Sequence, residues 1–139
     1  MSTDPALALQ GAFVARIKAL ATEAQSRVYD TVPRDNNGTI TATFPYVSLG
    51  EATVTPNAAD CYDGSETSFD IHVWSRAVGF PECKRIADAI RTEFNSAEFD
   101  ITGHTLELLE LERTQYLRDP DGITRHAVLT FRALTQPKD

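Results

Sequence analysis

Cysteine is scarce in this chain of 139 residues, which has two, Cys61 and Cys83. Two thiols so placed do not mark a disulfide framework and favour a reducing compartment. Cation excess is missing as well. Thirteen Lys and Arg face twenty Asp and Glu, a formal net charge of −7. A domain of that balance does not bind nucleic acid through a broad basic surface. Long apolar runs are absent, and Met1 to Pro5 leads into no basic-then-apolar segment. The chain therefore reads as having neither signal peptide nor membrane span, with no membrane among its partners. His72, His104 and His126 are far apart, with no His-x-x-x-His or Cys-x-x-Cys spacing. No metal site is expected from such ligands. A Gly-x-Ser-x-Gly elbow, a phosphate-binding glycine loop and a dinucleotide fingerprint are all lacking. No catalytic residue and no cofactor is expected, and the chain does not read as an enzyme. Asp60 and Asp63 beside Cys61 make an acid pair near a thiol, but without a histidine close in sequence they read as a solvated acidic loop.

What is present centres on Ser65 to Phe99. Phe69, Ile71 and Val73 alternate with Ser68, Asp70, His72 and Arg76, the period of a strand with one buried face. After Ala77 to Pro81, the apolar residues Cys83, Ile86, Ala87, Ile90, Phe94 and Ala97 recur at helical spacing, with charged residues opposite. Pro81 suits a first helical position, and Glu82 suits the positive end of the helix. Each element has one apolar face, so packing them together buries both.

The rest follows in order. Asp4 and Pro5 open a first helix with the stripe Leu9, Phe13, Ile17, Leu20 and Ala24, ending near Gln25–Ser26. Arg27 to Pro33 is short and β-prone, and Arg34 to Gly38 is a turn. Phe44 to Leu49 and Glu51 to Thr55 read as strand interrupted at Gly50. Asn57 to Glu66 reads as a long exposed loop. In Thr105 to Glu112 the parity breaks, because Leu106 and Leu108 oppose Leu109 and Leu111. Either one extra residue near Leu108–Leu109 forms a bulge, or the strand is buried on both faces. Asp119-Pro-Asp-Gly122 is a turn rather than a calcium loop, since regularly spaced ligands and a closing glutamate are missing. Ile123 to Leu134 returns as a strand with Ala127, Leu129, Phe131 and Ala133 inward, and Thr135 to Asp139 reads as a frayed tail. The expected fold class is α+β, a single domain over 1–139 with an antiparallel or mixed sheet and two helices packed on it.

The candidate contact residues are surface ones. Trp74 shares the polar parity of its strand, so it is either capped by its own chain or anchors another subunit. Arg76 lies beside it, and Asp60, Tyr62 and Asp63 belong to the polar loop. Glu107, Glu110, Glu112, Asp119 and Asp121 give the last hairpin an acidic excess, either an ordinary soluble surface or a negative wall.

The succession Val28-Tyr-Asp-Thr-Val-Pro33, Phe44-Pro-Tyr-Val-Ser-Leu-Gly50, His72-Val-Trp-Ser-Arg76, the helix Cys83 to Phe94, Thr102-Gly-His104, Leu117-Arg-Asp-Pro-Asp-Gly122 and Ala127-Val-Leu-Thr-Phe-Arg-Ala133 resembles the tail-completion, or tail terminator, proteins of long-tailed phages and phage-like gene transfer agents. The resemblance rests on order and spacing from about Val28 to Leu134, not on one motif. It implies a hexameric ring on the tail tube that ends tube growth and joins the head connector at the tail–neck junction of a virion. It implies DNA passing through the lumen without specific binding, and synthesis in a host cytoplasm. The partners implied are further copies of the chain, the tail tube protein and the connector. A small cytoplasmic binding module without ring assembly is the alternative, and an acidic-residue hydrolase the third.

Overall fold

The computed structural model describes residues 4–57, 64–96 and 98–138. Its elements are α1 (Ala6–Lys18), β1 (Val28–Tyr29), β2 (Tyr46–Asn57), β3 (Gly64–Ser75), α2 (Pro81–Ser96), β4 (His104–Arg118) and β5 (Arg125–Pro137). The strands form one sheet in the order β1-β2-β3-β5-β4. β1 runs parallel to β2 and the remaining pairs are antiparallel, so the sheet is mixed.

Both helices lie on one face. The period-two side chains Phe69, Ile71 and Val73 of β3 join Ala127, Leu129, Phe131 and Ala133 of β5 beneath Cys83, Ile86, Ala87, Ile90 and Phe94 of α2. Leu9, Phe13 and Ile17 of α1 close the same core. Phe13 is its junction: its ring lies 4.7 Å from Phe69, 5.1 Å from Phe94 and 5.2 Å from Phe99, centroid to centroid. Burial pushes the Cys83 thiol up to about 11, with Glu82 adding to the effect, so it is a packed apolar group rather than a nucleophile.

The first helix is shorter than its apolar stripe suggests. It ends at Lys18, and residues 19–26 turn. Ala24 is still buried, but a turn carries it there, with Gln25 at a φ of 55°. The Thr22 hydroxyl accepts from the Ala24 N–H at 3.2 Å, an alternative to the helical bond. The Arg27 guanidinium donates to the Glu23 and Pro45 carbonyls, tying the turn to the start of β2.

The loop expected over Asn57 to Glu66 is shorter too. Thr55, Pro56 and Asn57 pair with Glu66, Ser65 and Gly64, so both flanks are strand. β2 runs through Gly50 without the interruption expected there, and only its ladder shifts, between Leu49 and Ala52. A Cβ at Gly50 would stand 2.7 Å from His72 Nε2 and 2.8 Å from Asp70 Cβ, so only a glycine backbone lies this close to β3. β5 continues through Thr135 to Pro137, with Thr135 buried, where polarity alone suggested fraying. It starts at Arg125, two residues later than its apolar pattern indicated.

β4 resolves the parity break with two bulges. The register shifts between Leu106 and Leu108 and again between Leu111 and Arg113, leaving Glu107 and Glu112 as the extra residues. Leu106, Leu109 and Leu111 all reach the core as a result, while Leu108 is exposed. The bulge near Leu108–Leu109 is therefore present, and the second accompanies it.

Candidate assembly surfaces

The helices cover one sheet face and leave the other to its own side chains. On that face the β2–β3 and β3–β5 registers set Tyr46 opposite Trp74 and Trp74 opposite His126. The Trp74 ring stacks on His126 at 4.0 Å and near-parallel to His72 at 5.8 Å. Its indole N–H donates to Ser48 Oγ at 2.8 Å. Trp74 is thus half-buried among residues of its own chain, with its polar atom satisfied.

A hydrogen-bonded row of side chains runs beside it. His126 Nδ1 is 3.2 Å from Asp119 Oδ1, and His126 Nε2 is 3.1 Å from His72 Nδ1. Asp119 accepts from His126 Nδ1–H, and the two imidazoles share one further hydrogen bond. Burial, then the neighbouring His126, holds His72 below the ordinary imidazole value.

Arg76 is exposed but engaged. Its guanidinium lies 4.1 Å over the Phe44 ring, its Nε–H donates to Thr124 Oγ1 at 3.1 Å, and a terminal nitrogen is 3.8 Å from Asp121. Asp121 in turn locks the β4–β5 turn: it accepts from the Thr124 hydroxyl at 2.5 Å and from the Thr124 and Ile123 N–H groups at 2.8 and 2.9 Å. These bonds, the hydroxyl first, pull its carboxyl down to about 2. Gly122 takes the positive φ that the turn requires, 78°.

The five acidic residues of the hairpin differ in what they engage. Glu110 pairs with Arg132 at 2.8 Å, and Arg132 also holds Glu66. Asp119 serves His126 and Asp121 the turn. Glu107 and Glu112, at the two bulges, are exposed and engage no partner among the described residues. Asp60, Tyr62 and Asp63 lie outside the described residues. Among those described, no three His, Cys, Asp or Glu side chains converge to hold a metal ion, and no helix is long and apolar enough to cross a membrane.

One cluster went unread in the sequence. Phe80, just before α2, receives Arg118 at 4.9 Å and Arg125 at 5.7 Å over its ring. Lys84 lies 5.5 Å from Phe80 and 5.1 Å from Tyr116. Arg118 and Arg125 are direct cross-strand partners. The available signal was the turn itself, which places those two arginines opposite each other.

β4 is an outer strand, fifteen residues long, with one side of its backbone facing no strand among the described residues. The fold offers a helix-free face and a long charged edge rather than a reactive cleft. The model of the tail completion protein gp17 family matches residues 7–136. The chain belongs to that family. A curated member, the tail completion protein gp17 of Bacillus phage SPP1, is 26% identical over 89 residues, which cover 64% of this chain and 66% of that protein. The chain thus aligns with just under two thirds of that relative. A chain from the solved virion of a native gene transfer agent particle superimposes with a TM-score of 0.83 at 29% identity, covering 96% of this chain and 98% of the other. As a tail completion protein, the chain has a structural role in the tail of a virion or virion-like particle.

Proposed function

We infer that this tail completion protein assembles as a hexameric ring on the end of the tail tube, stops tube growth there and presents its other side to the head connector. The observation that carries this reading is the division of the sheet. One face is sealed by both helices, while the other face and the β4 edge are left for contact. Exposed edges of this length are places for partners unless they are protected, and here bulges and glutamates regulate the contact. Trp74, Arg76 and the bulged β4 edge belong to the surfaces that meet neighbours. In a closed ring each interface joins two different patches. The net charge of −7 suits a lumen that DNA slides through, because like charges oppose tight phosphate contacts.

The test is tube growth in vitro. Tail tube protein polymerised with the purified chain is expected to give short tubes with a ring at one end in negative-stain micrographs. Tubes of the same length with and without the chain, and bare at both ends, would overturn the reading.

A further inference from the structure

Three cations surround Phe80 and Tyr116, and Asp88, whose charge reaches Tyr116, is already paired with Arg91. Lys84 and Arg118 form no ion pair among the described residues, and Arg125 donates only to the Gly122 carbonyl. The Arg125 Nε is buried with no hydrogen-bond partner. Two arginines directly opposite on a ladder repel, and the aromatic ring of Phe80 offsets this in part through its negative face. In a chain carrying seven more acidic than basic groups, such a grouping has no ion-pair partner of its own among the described residues. Val78, in the loop that enters Phe80, is 99% exposed, so apolar surface adjoins the charges.

The missing counter-charge is present elsewhere on the same chain. Glu107 and Glu112 are exposed at the two bulges without a partner among the described residues, Glu107 near the start of β4 and Glu112 near its middle. Eleven positions of strand separate Glu107 from Arg118 and six separate Glu112 from it, roughly 35 and 20 Å at the usual rise per residue. The two patches therefore cannot satisfy each other within one molecule. We propose that Lys84, Arg118 and Arg125 of one copy receive Glu107 and Glu112 of the next, a head-to-tail contact between second copies of this chain.

A carboxylate seated there accepts from a guanidinium and an ammonium at once, with Phe80 and Tyr116 excluding water beside it. The contact joins unlike patches, so each copy gives one and receives one, as a ring requires. DNA phosphate is a competing occupant, but the surrounding acidic surface opposes it.

This inference rests on the ring reading, and charge reversal separates the two. Arg118→Glu with Lys84→Glu is expected to weaken self-association, measured by sedimentation and on capped tube ends, by about tenfold or more. Glu107→Lys with Glu112→Lys should do the same. All four changes in one chain should restore it, as should mixing the two double variants. Circular dichroism checks that each variant folds. Rings that form equally well in both double variants overturn the proposed pairing and leave the ring standing. A dimer, restored by the fourfold reversal, keeps the pairing and overturns the ring. A wild-type chain that stays monomeric at high concentration and on tube ends overturns both. A duplex DNA oligonucleotide that binds the wild type, with loss on Arg118→Glu and no change on Glu107→Lys, also overturns the pairing.

Discussion

Phe13→Ala is expected to destabilise the chain by about 3–5 kcal/mol, among the larger effects of a single substitution. Phe13 is buried and packs its ring on three other phenylalanines, one each from β3, α2 and the segment after α2. Truncation removes the apolar area of the ring and leaves a cavity whose walls are held by the sheet on one side and α2 on the other. Neither wall collapses freely, because Phe69 is itself stacked on Phe131 and Phe94 packs on it at a tilt. α1 keeps Leu9 and Ile17 as buried core residues, with Ala8, Ala12 and Val14 packed at the edge, so its attachment to the sheet weakens most. Urea denaturation followed by circular dichroism should show the midpoint falling with little change in slope. The melting temperature should drop by roughly 10–20 °C. A loss below about 1 kcal/mol would mean that α1 does not dock through this residue.

The second large effect is a contrast within β4. Leu111→Asp is expected to cost about 2–4 kcal/mol, whereas Leu108→Asp should stay within about 1 kcal/mol. Both positions are leucines on one edge strand, three residues apart. The bulge at Glu107 sets Leu108 opposite Leu134 on the helix-free face, where it is 37% exposed. Leu111 instead stands opposite Phe131 and packs against the core beneath α2. A carboxylate there loses its hydration without gaining a partner, while at Leu108 it stays in water. Thermal unfolding of the two variants side by side measures the difference. Equal penalties would point to a strand covered on both faces and would contradict the bulged register.

These two cases also mark what the sequence makes legible. The strand and helix from Thr67 to Ser96 are readable because each has one apolar face, and local spacing alone reveals that. Phe69, Ile71 and Val73 are buried in that parity, and Pro81 starts the helix. The parity conflict at Leu108–Leu109 is readable as a conflict, and one bulge removes it. The second bulge is hidden because Glu112 and Arg113 are both polar, so nothing apolar records the change of face until Thr114 and Tyr116. The early end of α1 is hidden for a similar reason. Ala24 falls at helical spacing from Ile17 yet reaches the core through a turn with Gln25 at positive φ. The cation cluster escapes local reading altogether. Its members come from α2, β4 and β5 and meet only when the hairpin folds over Phe80. Trp74 shows the opposite limit. Its polar parity is visible, but the stack with His126 and the bond to Ser48 depend on pairing across three strands.

The role at the end of the tail tube is tested most directly by particles assembled without this chain. Electron micrographs of such particles are expected to show tails of uncontrolled length, or full heads and tails left unjoined. Complete particles with tails of the normal, uniform length would contradict it.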